Sequence, residues 1–425
     1  MSEPRVFHRQ VVWLAIAAFV GVLFWRLPHV ANRDLVVYET YNALVEVDAL
    51  VRREFVQPVE DDRLVEGAIH GLLRRLDPYS SYIPATAGDR LARQTTGEYV
   101  GIGVEIAPGA RGWTVIAPIQ GGPAEQAGIR ADDALSAVDG VETERLSMQS
   151  LEDLLSGEPG SAVRLTVQGV DDPEPREVVV TRSRIHVASV QVADDALSGA
   201  DLQAVQAAAG IGYLRLAHFH SGTGRELDAA LQRLDEKATR GLILDLRSNP
   251  GGLMEQALEV LDRFITSGLL LSTVNRRGVV ERFEASGGAH WAELPLMVLI
   301  DRHSASASEI VAGALQSRGR AKVIGERSFG KGSVQHVIPL REGQGAVKLT
   351  VAYYRLPSGR ILHRTRANEK TDAWGVIPDE TVGVAGRSGA RSDEADPVLV
   401  RAIEMLSGTD GPPMSRADTG RSLGR

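Results

Sequence analysis

A serine within Ser304-Ala305-Ser306-Ala307-Ser308-Glu309 and a lysine within Phe329-Gly330-Lys331-Gly332 stand twenty-five residues apart. A lysine that has lost its proton can take the proton of a serine hydroxyl, so Ser306 and Lys331 together could run hydrolysis without histidine. Ser306 to Glu309 also spells Ser-x-x-Glu ahead of an apolar run, the pattern of a capping box at a helix start. The two roles are compatible. A helix N-terminus turns the N–H of Ala307 and the positive end of the helix dipole toward an incoming oxyanion, and the small Ala305 and Ala307 leave a polypeptide room to approach.

A lysine between glycines is ordinarily a solvated turn, and two other motifs compete for it. Gly325 to Lys331 nearly spells a P-loop, but Gly332 stands where serine or threonine is required and Val334 to Ile338 reads as a strand. Ser328-Phe329-Gly330-Lys331 matches Ser-x-x-Lys, yet the glycines oppose the helix which that motif opens, and neither Ser-Asp-Asn nor Lys-Thr-Gly occurs. His303 and His336 are close enough in sequence to stay open as alternative bases, while Gly-x-Ser-x-Gly and His-Glu-x-x-His are absent.

The elements that must position these residues alternate. Ile211 to Leu216 is strand-like, Gly224 to Asp235 helical, and Gly241 to Leu246 a buried strand running into Arg247-Ser248-Asn249-Pro250-Gly251-Gly252. A helix over Met254 to Ile265 follows, then strand Leu296 to Ile300, the serine-rich turn, a helix to about Gln316, and strand Ala321 to Ile324. Such alternation predicts layered α/β packing from βαβ units. Ligands of such sheets gather beyond the carboxyl ends of strands, where Gly251-Gly252 and Ser304 to Ser308 both fall.

Upstream, the periodicity is different. Gly101 to Ile106 and Gly112 to Ile119 read as strands, Pro123 to Gly128 as a short helix with a glycine stop, and Ala134 to Val138 as a strand before the Asp139-Gly140 turn. A helix near Ser150 to Leu155 and a strand at Ala162 to Val167 complete an order that resembles a PDZ domain. In that reading Tyr99, Val100, Gly101, Ile102 and Gly103 form the peptide-binding loop. Successive backbone N–H groups there capture a peptide carboxylate, and the adjoining strand edge accepts the extended chain. From Leu35 to Arg75 apolar residues at helical spacing predict amphipathic helices ending near Asp77-Pro78.

At 425 residues the chain exceeds one core. Scattered basic residues at a net charge of −8 exclude a nucleic-acid footprint. The absence of cysteine removes disulfides, thiol catalysis and thiolate metal sites. No metal or other cofactor is implied. Arg5 and Arg9 precede an apolar run from Val11 to Trp25 closed by Arg26, which reads as an export signal. It is short for a bilayer core of roughly 30 Å unless the flanking arginines snorkel. Without a small-x-small cleavage site after Arg26, an uncleaved inner-membrane anchor with the rest of the chain on the periplasmic side is expected; export followed by cleavage and release is the alternative.

Leu299 to Gln316 and Gly325 to Gln335 together closely resemble the carboxyl-terminal processing (tail-specific) protease family. The likeness extends to Leu76 to Tyr82, the PDZ segment, Leu244 to Gly252 and Pro357-Ser358-Gly359-Arg360. It implies a multi-domain α/β chain whose protease core is similar to the crotonase and Clp protease folds. The expected organisation is an N-terminal segment (1–30), a helical region (31–95), an inserted PDZ domain (96–184), the protease core (185–382) and a tail with a short helix (383–425). The resemblance implies Ser306 as nucleophile, Lys331 as general base and Gln335 as the residue orienting the lysine. Ala307 and Gly252 are the implied oxyanion donors, with Gly251 competing for the second place. It further implies polypeptide substrates engaged by their C-termini, self-association as a dimer, and an activating or adaptor protein. Members commonly carry a basic residue where Ser156 stands here. The competing reading is a membrane-tethered PDZ adaptor with an inactive core.

Overall fold

The computed structural model describes residues 41–84, 97–383 apart from loop positions 110, 111, 120, 170, 171, 173, 237, 342, 343 and 372, and 394–408. The apolar run Val11 to Trp25 lies outside the described residues. Among those described, no helix is long and apolar enough to cross a membrane.

Two compact units divide the chain at Tyr82. The first contains helices α1 (41–54) and α2 (Asp61–Leu73). After α2 the chain turns on Asp77, whose Oδ1 accepts the N–H groups of Tyr79 and Ser80 at 2.7 Å each and whose Oδ2 accepts the Ser80 hydroxyl at 2.8 Å. This Asx-type turn is the physical content of the Asp-Pro-Tyr-Ser motif.

The second unit opens with β1 (Glu98–Gly101) and β2 (Val104–Gly109), followed by β3 (Gly112–Pro118), α3 (Pro123–Gln126), β4 (Ala134–Val138), α4 (Met148–Leu155), β5 (Ala162–Gln168) and β6 (Arg176–Thr181). The expected strand from Gly101 to Ile106 is broken at Ile102-Gly103, because Gly103 adopts φ +73° and turns the chain out of β1. The sheet runs β2-β3-β4-β5-β6, which leaves β2 on an edge. Ile102, Val115, Leu135, Leu151, Leu165 and Val180 fill its core. β7 (Ser183–His186) leads out antiparallel to β1, with Glu98 opposite His186.

The rest builds an α/β core from β8 (Val190–Val192), β9 (Ile211–Leu216), α5 (Thr223–Glu236), β10 (Gly241–Asp245), α6 (Met254–Asp262), β11 (Leu269–Asn275), β12 (Gly278–Glu284), β13 (Leu296–Ile300), α7 (Ala307–Ser317), β14 (Lys322–Gly325), β15 (Ser333–Pro339), β16 (Ala346–Arg355), β17 (Glu380–Thr381) and α8 (Pro397–Ser407). One sheet has the order β8-β9-β10-β13-β14-β17, parallel except at β8. Its central strands are buried on both faces, which is why they read as unbroken apolar runs. Leu242 and Leu244 enter the cluster beneath α5, α6 and α7, whereas Ile243 points to Val398, Leu399 and Ala402 of α8. Each such fully buried leucine or isoleucine contributes about 1.5–3 kcal/mol. In the second sheet β16 pairs with β15 and with β11, and β11 pairs with β12. Leu270, Leu271 and Tyr354 from it join the first cluster, so α6 and α7 are enclosed between the two sheets.

Candidate active site and peptide groove

Ser306 sits where β13 ends and α7 begins, 8% exposed, with φ 56° and ψ −113°. A positive φ is strained for serine and is not what an ordinary cap adopts. The strain is held by Glu309, a fully buried carboxylate that accepts the Ser306 N–H at 2.9 Å. The neighbouring serines have structural tasks: Ser304 Oγ donates to Leu246 O at 2.8 Å and Ser308 Oγ to Asn249 O at 3.0 Å. Among the described residues the Ser306 hydroxyl donates to no protein acceptor.

Lys331 is brought to the same place by the same carboxylate. Glu309 Oε2 accepts the Lys331 N–H at 2.8 Å, and Oε1 accepts the Gly330 N–H at 2.7 Å and the Ser328 hydroxyl at 2.6 Å. Burial pushes the Glu309 carboxyl up, and these hydrogen bonds oppose it. Three of its four donors are backbone N–H groups that can only donate, so the arrangement is satisfied by an ionised carboxylate. The flanking glycines have a packing reason too. A Cβ on Gly330 would lie 2.8 Å from Trp374 Cε3 and from Arg364 Cβ, and one on Gly332 would overlap the backbone of Leu362 and His363. The Lys331 ammonium is held below its ordinary pKa, first by burial and then by the charge of Lys348, while Glu309 acts the other way. That is the direction a lysine base requires.

Gln335 lies two residues into β15, where its Nε2 donates to Ser333 Oγ at 2.6 Å and to Ser333 O at 3.2 Å. Ser333 is thus the bonded partner of its amide nitrogen. His303 and His336 are exposed, and neither bonds Ser306 among the described residues.

The two glycines are told apart by their hydrogen bonds. The Gly251 N–H donates to Asn249 Oδ1 at 2.8 Å and the Gly251 carbonyl accepts from Phe219 N–H at 3.0 Å. Among the described residues the N–H groups of Gly252 and Ala307 donate to no protein acceptor, which leaves both for an oxyanion. Gly251 instead provides clearance: a Cβ there would stand 2.6 Å from Ala305 O, 2.7 Å from Ser306 Cβ and 2.9 Å from Ala307 N.

Three features here escaped the sequence reading. Asn249, wholly buried, ties the oxyanion loop to β9 through Leu216 O at 2.7 Å and accepts the Ala305 N–H at 3.0 Å. Arg247 bridges Asp245 and Asp396, the residue that caps α8 through the Val398 N–H at 3.0 Å. His186, His220 and Glu226 form a ligand-like trio. His220 Nδ1 accepts the Gly222 N–H at 3.0 Å, which places its proton on Nε2, 3.0 Å from Val187 O. Neither nitrogen of His220 is left for a metal. The trio is a clamp: Glu226 holds His186 at 2.8 Å and the Ser189 and Val190 N–H groups at 2.7 and 3.1 Å, fastening the exit from the PDZ domain to α5. The His218-Phe219-His220 doublet at a strand end was its sequence signal.

Between edge strand β2 and helix α4 lies a groove of about 420 Å³ lined by Tyr99, Gly101, Ile102, Gly103, Val104, Ile106, Met148, Glu152 and Leu155 among others. The Ile102 and Gly103 carbonyls accept from Ala124 and Ile119, while their N–H groups donate to no protein acceptor among the described residues. Those two N–H groups can receive a carboxylate. Val100 is a correction to the expected set: on β1 it alternates with Tyr99 and Gly101, which line the groove, and it is not among the lining residues.

A serine poised at a helix start beside a lysine of lowered pKa, in a chain with a peptide-receiving groove, defines a serine hydrolase that acts on polypeptides. Comparison with known proteins takes the assignment further. The profile described as peptidase family S41 matches residues 210–382, that of a PDZ domain residues 114–169, and that of the activating protease CtpB N-terminal domain residues 30–87. A carboxy-terminal-processing protease of Bartonella bacilliformis is 36% identical over 88% of this chain and 82% of its own length. A carboxyl-terminal-processing protease of Synechocystis sp. is 33% identical over 90% and 85%. The solved photosystem II D1 C-terminal processing protease is 32% identical, covering 77% of this chain and 84% of that one at a TM-score of 0.47. The chain belongs to peptidase family S41, the carboxyl-terminal processing proteases, and is a serine-type peptidase rather than an inactive adaptor.

Proposed function

We propose that Ser306 attacks the scissile carbonyl, that neutral Lys331 accepts its proton and passes it to the leaving amine, and that the Ala307 and Gly252 N–H groups hold the tetrahedral oxyanion. The observation that carries this reading is the shared Glu309 carboxylate, which fixes the nucleophile and the base in one rigid frame. Gln335 orients the lysine segment from β15. Substrate polypeptides enter by their C-terminal region, with the terminal carboxylate at Ile102 and Gly103 and the chain added to β2. The N-terminal match to an activating-protease domain supports a role for an activating partner. In this reading the chain acts as a dimer, as the resemblance to its family implies. The basic and apolar start of the sequence supports tethering at the inner membrane with catalysis outside the cytoplasm.

The test is incubation of the purified chain with an unfolded polypeptide, comparing wild type, Ser306→Ala and Lys331→Ala. Cleavage by wild type alone is expected. Cleavage that persists in either variant refutes the dyad.

A further inference from the structure

The groove has a charge that its apolar walls do not explain. Tyr99, Ile102, Val104, Ile106, Met148 and Leu155 provide a lining suited to aliphatic or aromatic side chains. Glu152 also lines it, exposed, and among the described residues its carboxylate makes no hydrogen bond or ion pair. No lysine or arginine lines the groove. Its negative charge is felt inside: the Tyr99 hydroxyl is pushed up, first by burial and then by Glu152.

The position of Glu152 along the groove follows from the fold. The carboxylate-receiving loop abuts the C-terminal end of α4, since a Cβ on Gly101 would stand 3.8 Å from Leu155 O. Leu155 therefore faces the last residue of a bound peptide. Glu152 is three helical residues back, roughly 4.5 Å at about 1.5 Å per residue. An extended peptide advances roughly 3.4 Å per residue with side chains alternating in direction, so the next side chain turned toward α4 is two residues before the last. Two extended residues span roughly 6.8 Å, so Glu152, roughly 4.5 Å along, reaches that side chain by extending its own by about 2 Å.

We propose that this groove selects polypeptide C-termini bearing an apolar last residue and a lysine or arginine two residues before it, with Glu152 as the residue that determines the preference. The inference rests on the reading of the groove as the receptor for substrate C-termini, and it adds the chemical class of those termini. Asp153, the other carboxylate lining the groove, has a polar interaction of its own, which leaves Glu152 as the carboxylate set against the apolar surfaces. A cationic side chain would pair with it while laying its methylene stem along Met148 and Ile106. An acidic side chain at the same place would meet like charge.

The experiment uses the full chain carrying Ser306→Ala, so that ligands are bound and not cut, with fluorescent peptides that share an apolar last residue and differ only in Lys, Ala or Glu two residues before it. Lys over Ala is expected to tighten binding by roughly two- to fivefold, as for an exposed ion pair, and the advantage fades with salt. Glu152→Lys is expected to invert the order so that the acidic peptide binds best. Glu142→Lys, on the same domain but outside the groove, leaves the order unchanged if the effect is local. Carboxylate-dependent binding with no charge preference, or an order that survives Glu152→Lys, overturns this inference alone. Failure of all three peptides to bind, or equal binding of their C-terminal amides, overturns the receptor reading beneath it.

Discussion

Ser306 and Lys331 donate their backbone N–H groups to the same atom, Oε2 of Glu309, at 2.9 and 2.8 Å. The proposed catalytic pair is registered through its main chain, and the registering group is buried beneath both. Small errors of position are costly in such a frame.

Replacing Glu309 with glutamine keeps the volume but turns an NH2 toward N–H donors that need an acceptor. Peptide hydrolysis should fall by about 100-fold through misplacement. Each donor left unsatisfied should cost about 1–3 kcal/mol, read as a loss of Tm. A variant with wild-type kcat would show that the shared oxygen is incidental.

Burial first, and then the charge of Lys348, hold Lys331 below its ordinary pKa, so Lys348→Ala should move the ascending acidic limb of the kcat/KM profile, where the base loses its proton, to higher pH. The associated stability has a definite sign. Between the lowered folded pKa and the ordinary lysine value of about 10.4, the folded chain binds fewer protons than the unfolded one, and stability rises with pH across that window. Lys331→Met should accordingly raise Tm at neutral pH, with the gain shrinking as pH increases. An unshifted profile in Lys348→Ala would remove that residue from the account.

Ser306→Ala and Ser308→Ala should separate chemistry from structure. The first should abolish hydrolysis and, through loss of the α7 cap, cost about 1 kcal/mol of stability. The second removes a buried hydrogen bond to Asn249 O and should cost about 1 kcal/mol while hydrolysis persists. Thermal melts and peptide turnover on both variants decide the matter.

Asp396 connects α8 to the oxyanion loop through Arg247. Asp396→Ala removes a helix cap worth about 1 kcal/mol. It also breaks a largely buried ion pair, a change of about 3–5 kcal/mol. Asp396→Asn should restore the cap but not the charge. If activity follows the charge, kcat should fall in both variants while only Ala loses the cap contribution to Tm.

The chain itself determined a good deal. Strands β9, β10 and β13 were legible because a strand buried on both faces needs an unbroken apolar run, and α7 because Ser306-x-x-Glu309 marks a helix start. The same motif and the Gly-Lys-Gly segment offered Ser306 and Lys331 as the candidate nucleophile and base through spacing and resemblance. What spacing could not carry was direction and occupancy. Ser306 adopts a positive φ only because Glu309 holds it there, and Gly251 and Gly252 look alike until one N–H is seen bonded to Asn249 and the other is not. Val100 falls out of the groove because successive residues of β1 face opposite sides, so it lies on the face away from Tyr99 and Gly101. The long-range pairs, Arg247 with Asp396 and His186 with Glu226, join residues far apart in the chain. A linear sequence records which side chains could meet; only the packed tertiary structure, by excluding water and fixing backbone direction, decides which ones do.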